Sequence, residues 1–324
     1  MVAVFPLIAL VTAFFGTLLF TAILIPVLKK KRLGQSILAI GPIWHKPKEG
    51  TPTMGGIVFL VFIPLGALLG ELLFHGSISP TLVFLLLFAV ANGLIGVIDD
   101  ATKLKNKRNL GLLPWQKLFL QSFFVLGYLY LIWMREGFFH DFRLPFFNVA
   151  IPFSFPLLFL FFILLLGTVN CVNLSDGIDG LTGSSALVIG VFFLAVGVLF
   201  SDGTLLSLGG ALSGGMLAFL LFNKNPARIF MGDTGSLFLG ALLSGGAFLL
   251  PNPCVLPLYT LLFLIEGGSV ILQVLCFKRT GRRLFRMAPL HHHLEKCAWS
   301  ERRIVFAFSL LTALGAALAL IALV

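Results

Sequence analysis

The sequence FPLLFLFFILLLG, at residues 155–167, carries no charged side chain and no alternation of polar with apolar residues. A run of this kind predicts an α-helix in lipid, because a helix satisfies its own backbone hydrogen bonds and crosses a bilayer with about 20 mostly apolar residues. A transmembrane strand would instead alternate over about ten residues. We therefore predict a membrane-spanning helix over residues 151–172.

Similar apolar runs recur along all 324 residues, of which 58% are hydrophobic and 11% charged. Soluble domains carry about 25% charged residues, so this chain has too little polar surface to be soluble. The N-terminal run has no basic residues before it and is interpreted as a first span rather than a signal peptide. The pattern predicts an all-α integral membrane protein, one polytopic domain over 1–324, with about ten transmembrane helices at 3–28, 53–74, 79–98, 114–134, 151–172, 181–200, 204–222, 234–250, 255–277 and 303–323.

The 23 lysines and arginines are distributed very unevenly between the loops. All except Arg135 and Arg143 lie in or beside the loops that follow odd-numbered helices. Basic loops remain in the cytoplasm, so the pattern predicts that both termini are extracytoplasmic. We attribute the net charge of +10 to this orientation and expect no nucleic-acid partner. The four cysteines form no CxxC pair and predict neither a disulfide framework nor a zinc site.

Two adjacent carboxylates, Asp99 and Asp100, end the third predicted helix in NGLIGVIDDATK (92–103) on the basic side. Neighbouring carboxylates repel each other and lose hydration near the bilayer. A metal ion, a lysine or a proton transfer would explain such a pair. An ordinary polar helix end in a basic loop is the alternative.

A second polar segment, VNCVNLSDGIDGLTG (169–183), spaces Asn170, Asn173, Asp176 and Asp179 three residues apart. Helical or turn spacing of this kind brings side chains along one face. Gly177 allows backbone to approach a ligand closely. The segment predicts a substrate site, and the alternative is a loop in which Asp179 caps the sixth helix.

A third segment, FNKNPARIFMGDTGS (222–236), places Asp233 between two glycines at the start of the eighth predicted helix. Its carboxylate suits Mg²⁺, which takes few protein ligands and keeps waters and phosphate oxygens around it. Asp233 as the N-cap of that helix is the alternative, and both interpretations are compatible.

Three consecutive histidines occur in MAPLHHHLEK (287–296). Imidazole binds phosphate when protonated, transfers protons or binds zinc. A zinc site would need further ligands, and no cysteine pair is present to supply them. We therefore favour phosphate binding by the histidines, and the alternative is a solvated basic loop. Lys48, before the turn in HKPKEGTPTMGG (45–56), is a weak anion-binding signal by itself. Glu266 and Gln273 share one face of a predicted helix. Glu266 is either a functional acid inside the membrane or a partner in a structural hydrogen bond, and the sequence leaves both interpretations open.

Together, TPTMGG (51–56), DDATK (99–103), NLSDGIDGL (173–181), FNKNPARIFMGDTGS (222–236) and PLHHHLE (289–295) resemble, in order, the motifs of polyprenyl-phosphate N-acetylhexosamine-1-phosphate transferases. The similarity extends over nearly the whole chain and is strongest to the branch that uses UDP-MurNAc-pentapeptide. It implies transfer of phospho-MurNAc-pentapeptide to undecaprenyl phosphate at the cytoplasmic face of the bacterial inner membrane. The products would be lipid I and UMP, and the reaction would require Mg²⁺. The alternative is a transferase that uses UDP-GlcNAc. The resemblance leaves a homodimer open.

The resemblance also implies roles for individual residues. Asp99, as candidate base, Asp100 and Asp233 would be catalytic, and Asp233 and Asp176 would bind the metal. Lys103 and Lys117 would lie near the phosphates, and Gln273 near the sugar. The other substrate residues implied are Lys48, Asn170, Asn173, Asp176, Gly177, Asp179, Asn223, Phe230, His291, His292 and His293.

A charged nucleotide cannot enter lipid and a polyprenyl tail cannot leave it, so the reacting phosphorus must lie at the interface. A phosphate monoester has a second pKa of about 6 and is largely deprotonated at neutral pH. Direct attack by the lipid phosphate is therefore favoured, and an aspartyl intermediate remains open. A transporter would show related halves with broken helices, and no such repeat is visible.

Overall fold

The computed structural model describes residues 4–30, 48–106, 111–136, 142–147, 149–152 and 154–324. Helices dominate these residues, and one short antiparallel hairpin joins the fourth helix to the fifth, so the prediction of an all-α membrane protein is confirmed. The helices are α1 Val4–Lys30, α2 Gly56–His75, α3 Pro80–Asn106, α4 Pro114–Glu136, α5 Phe155–Ser175, α6 Leu181–Leu199, α7 Gly203–Asn223, α8 Gly232–Gly245, α9 Leu256–Tyr259, α10 Leu261–Thr280, α11 Leu290–Lys296 and α12 Glu301–Leu323, and the hairpin is β1 Phe142–Leu144 with β2 Val149–Ile151.

Nine of the described helices are long and apolar enough to cross a membrane, and α8 is the predicted span that is shorter than expected. Instead of 234–250, it has 14 residues and continues as a 3₁₀ turn, Gly246–Leu249. Its residues from Thr234 to Gly245 are all buried. A helix enclosed by protein does not need the length of a lipid-facing helix, which explains the difference.

Helix α8 runs from the charged end of the molecule to the level of Tyr128, inside α4. Its first turn carries Asp233, and at its other end Gly245 O accepts a hydrogen bond of 2.8 Å from the Tyr128 hydroxyl. The chain after it is tied to the hairpin, because Asn252 donates to the backbone carbonyl of Arg143 at 2.8 Å. The described residues thus contain nine helices of spanning length, with the shorter α8 enclosed between them.

The surroundings of α8 determine where Asp233 lies. Helices α2, α3 and α5 pack against it. Gly96 of α3 lies directly against the backbone of Asp233, where any larger side chain would overlap the Asp233 carbonyl. Small residues allow this close approach between membrane helices. One turn further along α3, its polar end therefore reaches the start of α8.

Helix α3 runs past its predicted end at residue 98 to Asn106. The residues involved contain no glycine or proline, and Asp99 pairs with Lys103 across one helical turn at 2.6 Å. Such i,i+4 pairs stabilise a helix. Asp99 and Asp100 consequently lie on the helix rather than after it. Helix α5 likewise extends from its predicted end at 172 to Ser175, so that it carries Asn173 as well as Asn170.

The TPTMGG segment fixes the entry into α8 through backbone hydrogen bonds. Phe230 N donates to Pro52 O at 2.8 Å, and Gly55 N donates to Phe230 O at 2.8 Å. Gly56 N donates to Met231 O at 3.0 Å. The start of α2 and the start of α8 are therefore held as one unit.

Candidate active site

Three carboxylates and two lysines meet where α3, α4 and α8 come together. Oxygen atoms of Asp99, Asp100 and Asp233 lie within 4.8 Å of one another. Lys103 Nζ lies 2.6 Å from Asp99 Oδ2 and 2.9 Å from Asp233 Oδ2. Lys117 Nζ lies 2.6 Å from Asp233 Oδ2 and 3.8 Å from Asp99 Oδ2. The structure thus brings together all five of these predicted site residues.

Asp100 has a different environment from its neighbour. Its carboxylate accepts hydrogen bonds from Thr234 N at 3.0 Å, from the Thr234 hydroxyl at 2.8 Å and from Asp233 N at 3.2 Å. A carboxylate at a helix N-terminus satisfies free amides and interacts favourably with the helix dipole. The alternative that Asp233 is the N-cap of α8 is wrong, because Met231 holds that position and Asp100 of α3 binds the free amides. The catalytic role of Asp100 stays a prediction.

Asp99 is buried, and both of its oxygens have neighbours. Leu112 N donates to Oδ1 at 2.8 Å, while Lys103 lies against Oδ2. The backbone at 111–112 therefore closes over the carboxylate. A group held in this way is fixed in place, and its role as a base stays a prediction.

Two asparagines of α5 extend the cluster along the neighbouring helices. Asn173 Nδ2 donates to Asp233 Oδ1 at 2.9 Å and to the Ser236 hydroxyl at 2.8 Å. One turn earlier, Asn170 Nδ2 donates to Gln121 Oε1 at 2.9 Å. Gln121 and Ser236 were not predicted. The available signal for Gln121 was a polar residue inside an apolar span, one turn after Lys117.

Asp176 directly follows α5 and is partly exposed. Loss of hydration, together with the negative charges of Asp233 and Asp100, raises the pKa of Asp176 to about 8. Within the described residues, no lysine or arginine forms an ion pair with it. Its carboxylate thus faces other acids without a cation of its own.

The charges and donor atoms of this cluster fit a divalent cation. Three carboxylates, of Asp99, Asp100 and Asp233, stand against the ammonium groups of Lys103 and Lys117, which leaves one negative charge. The carboxyl group of Asp176, whose pKa is raised, faces the same cluster. All of the available ligand atoms are oxygens, which hard cations such as Mg²⁺ prefer. The oxygens of Asp99, Asp100 and Asp233 lie close enough together to hold such an ion, and the predicted metal role of Asp176 and Asp233 stays a prediction.

A second charged group joins four segments of the chain beside this cluster. Lys48 Nζ lies 2.7 Å from Asp179 Oδ1 and 2.7 Å from Glu301 Oε1. Asp179 Oδ2 also accepts a hydrogen bond of 2.9 Å from Ala227 N, and Asn225 donates to Glu301 at 3.1 Å. The alternative that Asp179 caps α6 is wrong, since Gly180 is the N-cap and no side chain binds there. Glu301 and Asn225 were not predicted from the sequence.

Two further predicted substrate residues form hydrogen bonds with backbone groups. Asn223 is buried, accepts from Gly180 N at 3.2 Å and donates to Ile229 O at 2.9 Å. Gln273 Oε1 accepts from Leu284 N at 3.0 Å and from Phe285 N at 2.8 Å. Their substrate contacts stay predictions.

The three histidines face three different partners. His291 is fully buried, and its Nδ1 lies 2.8 Å from Glu266 Oε2. His292 Nδ1 lies 2.7 Å from Glu295 Oε2. His293 Nδ1 accepts a hydrogen bond of 3.2 Å from Arg286 N. The ring of His291 also lies against the glycine that follows Asp176, which connects α11 to the carboxylate cluster.

Comparison with known families matches two parts of this chain. Residues 82–250 match the model of glycosyl transferase family 4. Residues 48–60 match signature 1 of phospho-N-acetylmuramoyl-pentapeptide-transferase. These two ranges contain Lys48, the five residues of the central cluster and both asparagines of α5.

Curated relatives extend the match to nearly the full length. A phospho-N-acetylmuramoyl-pentapeptide-transferase of Desulforamulus reducens is 41% identical over 316 residues, covering 94% of this chain and 93% of the relative. The enzyme of the same name from Heliobacterium modesticaldum is 41% identical over 292 residues, covering 88% and 87%. That of Caldicellulosiruptor bescii is 39% identical over 314 residues, covering 97% and 96%.

Proposed function

Because the chain belongs to the phospho-N-acetylmuramoyl-pentapeptide-transferase family, we propose that it transfers phospho-MurNAc-pentapeptide from UDP-MurNAc-pentapeptide to undecaprenyl phosphate, giving lipid I and UMP for peptidoglycan synthesis. It is a multi-pass phosphoglycosyl transferase of the bacterial membrane. One observation supports the proposal above the others. Three side chains from three helices, those of Lys103, Lys117 and Asn173, converge on the carboxylate of Asp233 where the apolar helices end.

We assign a Mg²⁺ site to Asp233 and Asp176, because these acids offer oxygen ligands and the cluster has an excess of negative charge. When bound, the ion neutralises charge that develops on the pyrophosphate. Asn173 orients Asp233 through its hydrogen bond of 2.9 Å to Oδ1. Asp100 holds the start of α8 and so keeps Asp233 in position.

Lys103 and Lys117 bind the phosphate oxygens of the donor in this proposal. Both ammonium groups already meet at one oxygen of Asp233, which places two positive charges side by side. Positioning and charge stabilisation account for most of the catalysis of phosphoryl transfer. The lysines therefore align the sugar-linked phosphate and stabilise the leaving UMP.

The acceptor phosphate attacks directly. Its oxygen forms the new bond to the sugar-linked phosphorus while the bond to UMP breaks. The acceptor is largely deprotonated at neutral pH, since its second pKa is about 6, and needs no strong base. Asp99 is also poorly placed to attack, because Leu112 N and Lys103 occupy its two oxygens. We assign it the role of holding Lys103.

The proposed activity is tested by incubating the purified protein with UDP-MurNAc-pentapeptide and undecaprenyl phosphate and measuring UMP. We expect UMP and a lipid-linked product in equal amounts. UDP-GlcNAc in place of the donor is the matched control and should give none. UMP release from UDP-GlcNAc alone would transfer the assignment to the other branch of the superfamily.

The orientation in the membrane stays a prediction, with the charged cluster in the cytoplasm. Ser77, between α2 and α3, and Lys224, after α7, are both exposed and lie at opposite ends of the molecule. In intact cells, a Ser77→Cys variant should react with an impermeant thiol reagent, and a Lys224→Cys variant should react only after lysis. The parent protein is the control for labelling of the native cysteines. The reverse labelling would invert the orientation. A homodimer also stays a prediction.

A further inference from the structure

Glu266 lies in the membrane-spanning helix α10, fully buried, and both of its carboxylate oxygens contact one residue of α11. His291 N donates to Oε1 at 3.1 Å, and His291 Nδ1 lies 2.8 Å from Oε2. An acid at this depth in a membrane protein is costly unless it is hydrogen-bonded. The pairing of the two residues is therefore specific rather than a consequence of packing alone.

The carboxylate determines which nitrogen of the imidazole carries the proton. Oε2 accepts, so Nδ1 carries the hydrogen, and in the singly protonated ring Nε2 is left as an acceptor. Nε2 is buried and has no hydrogen-bond partner in the described part of the chain. In this tautomer Nε2 thus carries no hydrogen, and the pairing with Glu266 fixes the direction in which it points.

That nitrogen points at Gly177, the residue after Asp176. A side chain at Gly177 would overlap Nε2 of His291, so ring and backbone are in direct contact. Beside Glu266, Gly267 lies against Cys171 Sγ, which brings α10 equally close to α5. The ring of His291 is therefore packed between Glu266 and the loop that presents Asp176.

We propose that Glu266 is a positioning residue of the transferase site, which fixes the tautomer and orientation of His291 and thereby the backbone at Gly177 and the carboxylate of Asp176. The proposal rests on the proposed function. Glu266 itself touches no reacting atom. Glutamine has the same shape but its amide N–H would donate to Nδ1. The ring proton would then move to Nε2 and place an N–H against Gly177.

The kinetic test compares Glu266→Gln with Glu266→Asp. We expect Glu266→Gln to lower kcat for UMP release by roughly 10- to 100-fold, the usual effect of a residue that orients a metal-site or catalytic group. The KM for UDP-MurNAc-pentapeptide should change little. Glu266→Asp keeps a carboxylate and should recover most of the rate. A folded Glu266→Gln protein with the parent kcat would overturn the proposal.

A second measurement does not depend on turnover. The chain has six histidines, and ring ¹⁵N spectra of labelled protein identify His291 by the signal that disappears in a His291→Asn variant. We expect the Nδ1–H tautomer in the parent protein and the Nε2–H tautomer in Glu266→Gln. An Nε2–H ring in the parent protein would refute the proposal even if the Glu266 variants failed to fold. Absence of UMP release by the parent protein would refute the proposed function instead, and the spectra would still decide the role of Glu266.

Discussion

Replacement of Asp233 by asparagine will lower UMP release by about 10³-fold or more, the upper range for removal of a single group that stabilises developing charge. Asparagine keeps the size of the side chain and removes its charge. Lys103 and Lys117 then lose the carboxylate oxygen on which both converge, at 2.9 and 2.6 Å. The proposed metal ion loses a ligand at the same time.

Asp202→Asn is the matched control for this substitution. Asp202 caps α7 at the opposite end of the molecule by accepting from Leu205 N at 2.9 Å. Asparagine caps a helix about as well as aspartate, so we expect activity close to that of the parent protein. Size-exclusion profiles of both variants confirm folding before rates are compared. Near-normal UMP release by Asp233→Asn would refute the assignment of Asp233.

Removal of divalent cations will stop the reaction, and Mg²⁺ will restore it. Asp99, Asp100 and Asp233 carry one more negative charge than Lys103 and Lys117 balance, and the pyrophosphate of the donor adds further negative charge. Like charges gathered in a poorly hydrated site repel strongly. Without a cation, we therefore expect the donor to bind weakly and turnover to fall to background.

The measurement is UMP release after treatment with EDTA and transfer into cation-free buffer, followed by titration with Mg²⁺. EDTA saturated with Mg²⁺ beforehand is the control for effects of the chelator on the membrane protein itself. Turnover that persists in the cation-free buffer would show that the lysines alone compensate the charge, and the metal assignment would be wrong.

Apolar runs alone were sufficient to predict where the helices lie, because lipid leaves helices as the main spanning element. The exact ends were less predictable. Extension of α3 to Asn106 depends on the Asp99–Lys103 pair, which becomes visible only when helical spacing is assumed beyond the apolar run. The short length of α8 depends on its complete enclosure by protein, which is a tertiary property.

The residue types of the site followed from the sequence and its resemblance, whereas their partners did not. Asp233 and Lys117 are separated by more than 100 residues, so no local spacing indicates that they touch. Asp99 and Asp100 were interpreted as one carboxylate pair with Asp99 as the candidate base, whereas the contact of Asp100 with the start of α8 could not be predicted. Glu301 resembles an ordinary acid in a first helical turn until Lys48 and Asp179 are seen beside it.

The enclosure of α8 has a consequence for the effect of bilayer thickness on the protein. Helices that face lipid tilt or shift when the hydrocarbon region becomes thinner or thicker. α8 is surrounded by α2, α3 and α5 and meets almost no acyl chain, so such adjustments fall on the outer helices. Lys103 of α3 and Asn173 of α5 contact Asp233 directly, so these ends of the outer helices stay with α8 and the site keeps its geometry when the lipid around it changes.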